Sequence, residues 1–415
     1  MNQTVEHTKH SNNGGCYRCR IKCSDLFIIA FCIYSVTLLV ESTTVIVALP
    51  KIVTLMFKGV RYFSYALCIL KAIIMARYKN KQIIYACLLV SVVAITFYTS
   101  DRTLAMLTFI FVGAIDVPKD RVIKCLLVIQ IVALSITVVG SLLGFIDNYL
   151  FDAFRGRWGL GFIWTTFAPI LFMFITFEYL YLYNKRMNLF QFMMFGLLAT
   201  FFYIETKTRL AYAVTLFFVV LSMIEHYKKK PWKFIRRMGK WNVLWPLFFA
   251  AIAIILQVSY KSDSEIWQRF DLLLSRRLYY GVNAITKYAI TPFGQKIEWV
   301  GRSYNTELQG LVPSNDLIDN AYFRNLFLYG VVGLTAILSL YCIGIWKAVR
   351  EKDFFLVWVY IVILGFCMFE FWMYNLQFNP FALVSVMNFT HKKEGFSMDP
   401  NRILQNRARP DSMYI

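Results

Sequence analysis

The sequence predicts an all-α, polytopic membrane protein with about twelve transmembrane helices and one long outer loop. Three observations carry this. Of the 415 residues, 58% are hydrophobic and 16% charged, and the mean hydropathy is +0.54. Uninterrupted apolar runs recur near the ~20 residues that an α-helix needs to cross a bilayer. Those runs lack the period-two alternation of membrane strands, and a backbone in lipid must satisfy its own hydrogen bonds.

In chain order, residues 1–25 form a basic cytoplasmic tail. It holds His7, His10, Cys16, Cys19 and Cys23. The Cys-x2-Cys spacing suits zinc, but no second zinc-type pair follows, which favours a disordered tail over a structural metal. The apolar run Leu26 to Leu49 is too long for a signal-peptide core and has no small-residue cleavage site, so it reads as a signal anchor. The first nine spans fall at approximately 26–49, 60–77, 82–99, 103–117, 122–146, 159–183, 187–204, 209–226 and 242–260. The long outer loop occupies 261–321, spans ten to twelve occupy 322–346, 354–374 and 376–390, and 391–415 is a second basic cytoplasmic tail.

The formal net charge is +20. Without a nucleic-acid-binding motif, this excess reads as membrane orientation rather than nucleic-acid binding. The segment from His226 to Trp241 has seven Lys/Arg and no acid. The opposite turns are sparser and more acidic, so both termini are expected in the cytoplasm. No Walker-type phosphate loop is present, so the chain does not drive transport by its own ATP hydrolysis. The six cysteines Cys32, Cys68, Cys87, Cys125, Cys342 and Cys367 lie inside apolar spans, where they act as small hydrophobes.

Within the outer loop, Ile266, Phe270, Leu273, Leu274 and Leu278 share one face of a predicted helix, with Arg269 and Arg276 on another. Such a helix suits the outer membrane interface. The "ITPFG" stretch then breaks it at Pro292 and Gly294, and Ser314 or Asp316 is placed to cap the next helix.

All four histidines (His7, His10, His226 and His391) fall in predicted cytoplasmic segments, so an outward-facing site cannot use one as its base. The outer side offers arginine instead. Arg155 and Arg157 precede span six, Lys207 and Arg209 precede span eight, Arg276 and Arg277 lie in the loop, and Arg324 opens span ten. Guanidinium forks match phosphate oxygens bidentately. Each could equally anchor a helix end by snorkelling. Asp319 abuts a span. It could accept a hydroxyl proton or cap a helix N-terminus. In a helix starting there, Tyr322 neighbours Asp319 and Arg324 neighbours Asn320. Lys71 and Glu370 lie inside apolar spans; intramembrane charge is costly, and a partner arginine is the leading reading for Glu370. Asn375, Asn379 and Pro380 suggest a broken helix after it.

The stretches "RGRWGLGF", "TKTRLAYAV", "RLYYGVNAITKYAITPFGQ", "DNAYFRNLFLYGVVG" and "FEFWMYNLQFNPF", in that order on this topology, resemble the bacterial O-antigen, capsule and exopolysaccharide repeat-unit polymerases. Many relatives carry His-Pro-Asn after the first motif's Gly-Phe, where Trp164, Thr165 and Thr166 stand here. The related O-antigen ligases carry a histidine near the position of Asp319, which favours a polymerase over a ligase. The resemblance implies a fold like multi-span glycosyltransferases with lipid-linked donors, acting in the bacterial cytoplasmic membrane. It implies joining of undecaprenyl-pyrophosphate-linked oligosaccharide repeat units on the outer leaflet, with no cofactor or metal. A flippase and a chain-length regulator are the implied protein partners. In this reading Asp319 is the base or orients it. Arg157, Arg209 and Arg277 stabilise the departing pyrophosphate, and Arg155, Lys207, Arg276, Asn320, Tyr322, Arg324 and Glu370 bind substrate. A lipid-oligosaccharide flippase is the principal alternative, an O-antigen-type ligase another.

Overall fold

The computed structural model describes residues 23–79, 99, 102–228, 232–274, 276–297, 304–305, 310–311 and 318–389. The N-terminal His/Cys cluster ahead of Cys23, the span expected over 82–99, Ser314, Asp316 and the C-terminal tail lie outside these residues. Among the described residues, eight helices are long and apolar enough to cross a membrane, and two shorter apolar helices accompany them.

The helices are α1 (Cys23–Glu41), α2 (Val45–Ala48), α3 (Lys51–Lys79), α4 (Thr103–Ala114), α5 (Lys119–Leu142), α6 (Phe167–Tyr183), α7 (Leu189–Thr206) and α8 (Arg209–Tyr227). They continue as α9 (Lys233–Met238), α10 (Trp245–Ser259), α11 (Glu265–Leu273), α12 (Arg277–Lys287), α13 (Ala321–Arg350) and α14 (Phe354–Phe366). Two small hairpins lie between them, β1 (Leu150–Asp152) with β2 (Arg157–Trp158), and β3 (Tyr304–Asn305) with β4 (Gly310–Leu311).

α6 lies at the centre of the bundle. Twelve of its residues are buried, from Ala168 through Leu180. The peripheral helices turn apolar side chains outward instead: Ile52 and Leu55 on α3, and Val128 and Ile136 on α5, are each more than 60% exposed. A belt of that kind is costly in water and is what contact with lipid tails requires. Short polar devices close the helix ends. Asn188 and Gln191 form a reciprocal capping box at the start of α7, and Asp353 caps α14 through the Leu356 amide at 3.1 Å, each satisfying amide groups the helix leaves open.

The bundle has two ends. The lobe end carries 144–166, 260–274, 276–297 and 318–320, and the basic end carries 115–118, 184–188, 228, 232–244 and 351–353. Lys71, inside α3, donates to the carbonyls of Gly113 and, at 2.7 Å, Ile115. Its charge therefore sits on the C-terminus of α4, where the helix dipole favours a cation. A further acid inside an apolar helix stands outside the sequence expectations: Glu178 on α6 is fully buried beside Gln130 of α5.

Two sequence expectations are corrected. The loop helix expected across 262–281 is two helices, one ending at Leu273 and the next beginning at Arg277, where Arg276 takes a left-handed backbone with φ of 62°. Leu278 is buried while Ile266 and Leu273 point outward, so the five apolar residues do not share one face. The last expected span, 376–390, is not an α-helix. After α14 the chain returns toward the basic end as an irregular segment with one 3-10 helix, Pro380–Ser385. Its end pairs with the start of α5, the Asn388 amide donating to Val117 at 2.9 Å.

Non-helical backbone at membrane depth survives only where protein supplies the missing hydrogen bonds. Here side chains do so. Gln130 of α5 donates to the carbonyls of Gln377 and Phe378 at 3.1 and 3.0 Å. Tyr341 of α13 donates to Met373 at 2.5 Å, and Tyr360 of α14 to Phe381 at 3.1 Å. Asn379 turns its own amide back onto Met373 at 3.0 Å.

Helix α13 is also interrupted. Gly330 has φ of 71° and ψ of −174°, a conformation open to glycine and strained for other residues. The "TPFG" stretch fills the break: Val331 and Val332 donate to Thr291 and Pro292 at 3.1 and 3.0 Å. Gly294 packs so closely against Leu328 and Gly330 that a Cβ on either glycine would strike backbone. The stretch read from sequence only as a helix breaker thus docks the long loop onto the bundle.

Candidate active site

Four elements meet at the lobe end. Arg277 stands in the first turn of α12, Asp319 immediately before the cap of α13, Glu370 beyond the end of α14, and Arg157 on β2. The Arg277 guanidinium bridges the two acids. Its Nε donates to Asp319 Oδ2 at 3.2 Å, and its Nη2 to Glu370 Oε1. Glu370 is the deeper partner, with a side chain 4% exposed against 27% for Asp319. The arginine that Glu370 needs is therefore Arg277, and its fork lies on two carboxylates.

α12 is held in place by an acid outside the set expected from the sequence. Asp271 is buried and accepts from the amides of Leu278 at 2.8 Å and Tyr279 at 3.3 Å. A carboxylate at the positive end of a helix satisfies open N–H groups. On the opposite side of the turn, Gln257 of α10 donates to the Leu278 carbonyl, and Gly281 leaves it the necessary space. These contacts aim Arg277 inward.

Arg157 is fixed by two further contacts. Its Nε donates to the Thr206 carbonyl at the end of α7 at 3.0 Å, and its Nη2 to Thr165 Oγ1 at 2.7 Å. Thr165 is one of the residues standing where the resemblance led to His-Pro-Asn. Arg157 lies within the electrostatic field of Arg277 and Glu370, and burial together with Arg155 lowers the affinity of its guanidinium for a proton. Arg155 lies at the hairpin tip, 3.7 Å from Asp152 and largely exposed. Lys207 ends α7 in a left-handed conformation with φ of 52°. Lys207, Arg209 and Arg276 are all exposed.

The other expected site residues have different surroundings. Asn320 is the N-cap of α13, accepting from the Tyr322 and Phe323 amides at 2.9 and 3.3 Å. Tyr322 is buried and donates to the Leu364 carbonyl at 3.0 Å. Arg324 stacks over the Phe371 ring, 4.6 Å from its centroid.

The electrostatics divide the site. Burial pushes the Glu370 carboxyl up, to about 7, against the opposing pull of Arg277. A carboxyl group of that kind can exchange a proton near neutrality. Arg157 and Arg155 supply a cationic edge on the hairpin, with the exposed Lys207 and Arg209 following Thr206, the residue Arg157 binds, and Asp319 and Glu370 supply an acidic edge joined through Arg277. Among the described residues, no three His, Cys, Asp or Glu side chains converge as a metal site.

Comparison with known protein families, characterised proteins and solved structures gives no match. What the chain's own helices establish is a multi-pass helical protein of the lipid bilayer.

Proposed function

We propose that the chain is a polymerase. It joins undecaprenyl-pyrophosphate-linked oligosaccharide repeat units into a surface polysaccharide on the outer leaflet of a bacterial cytoplasmic membrane. The observation that carries this reading is the Arg277 bridge between Asp319 and Glu370, with Arg157 in its field. The bridge sits at the end of the bundle away from the lysine- and arginine-rich loops. Under the positive-inside rule those loops are cytoplasmic and the bridge faces outward.

In this reaction the bond between the donor sugar and phosphate breaks as the acceptor hydroxyl oxygen attacks. Negative charge gathers on the leaving pyrophosphate. Arg157, fixed by Thr165 and Thr206, stabilises it together with Arg155, Lys207 and Arg209, because preorganised cations act where charge develops. The acceptor proton passes to Asp319, the more exposed of the two acids. Arg277 orients Asp319 and balances Glu370.

The test is disruption of the gene in its host, with lipid-linked glycans resolved by leaflet and chain length. Single repeat units accumulating on the outer leaflet are the expected result. Units trapped on the inner leaflet would instead mean a flippase, and long polymer stranded on its lipid a ligase.

A further inference from the structure

A second candidate site lies on the far side of α12. A cavity of about 480 Å³ opens between the turn after α10 and the outer face of α12. It is lined by Tyr260, Ser262, Asp263, Ser264, Tyr279 and Asn283, with Lys261 and Val282 completing it. Its volume falls within the ~300–1,000 Å³ usual for small-ligand sites. At 3.6 residues per turn, Tyr279 and Asn283 point away from Arg277, Gly281 and Ala284. The cavity is therefore separate from the Arg277 bridge, although both are built on one short helix.

The lining selects a class of ligand. Two tyrosine rings offer apolar faces with polar edges. Two serine hydroxyls, an amide and a carboxylate supply both donors and acceptors. Lys261 and Asp263 oppose each other in charge, so the cavity lacks the cationic surplus that a phosphate would need and that the Arg157 edge has. It also lacks long apolar walls for an acyl chain. A ligand with many hydroxyls, flat C–H faces and no net charge meets these terms.

We propose that this cavity is a binding subsite for neutral saccharide, engaging units of the glycan away from the reacting end. That the saccharide belongs to a repeat unit rests on the polymerase reading. That it is a neutral saccharide rests on the cavity alone. The two sites are physically joined. The Tyr260 hydroxyl lies against Asp271, and Asp271 caps the helix turn that carries Arg277. A glycan seated on Tyr260 and Tyr279 would therefore press on the element that positions the reacting groups.

The experiment uses the full chain in lipid nanodiscs on an array of neutral oligosaccharides, disaccharides to hexasaccharides, beside a sulfated and phosphorylated set. The wild type is expected to retain a subset of the neutral glycans. Tyr279→Ala and Asn283→Ala should each lower that retention by about tenfold, equivalent to ~1.4 kcal/mol. Tyr279→Trp, which keeps an aromatic face, should preserve it. Folding of each variant is checked by its thermal transition. Capture of no neutral glycan, capture of the charged set alone, or equal retention by the wild type and both alanine variants would overturn the proposal. The polymerase reading fails by a separate readout, the host's lipid-linked glycan pool, so loss of either leaves the other standing on its own result.

Discussion

Both ends of the bundle hold a cation shared between acids, and the two clusters are built differently. At the basic end Lys119 reaches Asp353 at 3.3 Å, Asp120 at 3.1 Å and the Tyr181 hydroxyl. Tyr181 also donates to Asp353 at 2.8 Å. The rings of Tyr181 and Phe389 stand over the ammonium at 4.8 and 5.0 Å, and Asp353 is further committed as the cap of α14. Asp120 lies at the rim with its side chain 51% exposed, while Lys119, Asp353 and Tyr181 form a largely closed centre that ties α5, α6, α14 and the end of the irregular pass together. At the lobe end the Arg277 bridge keeps one partner, Asp319, partly open, beside a row of exposed cations on the hairpin and the α7–α8 turn. Buried charges in a closed network hold geometry. Similar charges with one open side and a surplus of one sign nearby are arranged to meet a ligand.

The largest effect should come from the closed cluster. Lys119→Ala leaves the half-buried Asp353 and the Tyr181 hydroxyl without their cation; a fully buried pair that loses one member costs about 3–5 kcal/mol, and this partly open one should approach the lower end. The thermal transition in detergent should fall sharply, and polymer should disappear together with folded protein. Arg277→Ala should separate the two outcomes. Loss of an organising charge in a reaction site typically costs about 100- to 1,000-fold in rate, so polymer should vanish while the protein still inserts. Its thermal shift should be smaller than that of Lys119→Ala, since Glu370 can take up a proton. Chain-length analysis alongside thermal unfolding of both variants checks the pair. Equal melting losses would make the Arg277 bridge a second structural clamp.

This division was only partly legible in the sequence. Apolar runs located most helices because hydropathy reads the lipid-facing and buried sides alike. The same property misled at 376–390, whose residues are apolar but whose carbonyls are satisfied by Gln130, Tyr341 and Tyr360 from distant parts of the chain. The break between α11 and α12 was invisible because no glycine or proline marks 274–276; the later amides that Asp271 accepts from close that turn. Asp319, Arg277 and Glu370 could each be singled out by residue type and position. Which arginine meets which acid depends on packing between elements 42 and 93 residues apart. Asn320 and Tyr322 looked equally polar and equally placed, yet one caps a helix and the other is turned into the bundle. Glu178 leaves little mark on the sequence, because one acid within a run of aromatics barely changes its hydropathy.

A milder perturbation uses proton uptake. The usual glutamate carboxyl ionises near 4.3, and burial moves Glu370 up to about 7. Folded Glu370 thus holds its proton more tightly than the unfolded chain does. Its contribution to stability is complete below the unfolded value and is lost as pH rises through about 7. The ion pair with Arg277 has the opposite dependence and is complete only above that value. Polymer synthesis in membranes should therefore rise across neutrality while the thermal transition declines slightly. Glu370→Gln should flatten both profiles and reduce activity by about tenfold, since Gln keeps the acceptor oxygen but not the charge. A wild-type rate independent of pH across this range would remove Glu370 from the reaction.

The smallest effect completes the series. Arg269 and Glu265 form an i,i+4 pair on α11 at 2.5 Å, with side chains 77% and 75% exposed. By residue type this pair matches Arg277 and Glu370; by surroundings it differs completely. Water screens it, and holding two long side chains in one geometry offsets much of the attraction, so such pairs contribute about 0.3–0.5 kcal/mol. Arg269→Ala should leave the thermal transition and the polymer length distribution within error of wild type, and whatever effect remains should fade as salt is raised. A large loss of polymer from this variant would mean that α11 meets the substrate directly. The division between closed, half-open and exposed ion pairs would then not predict which charges serve the reaction.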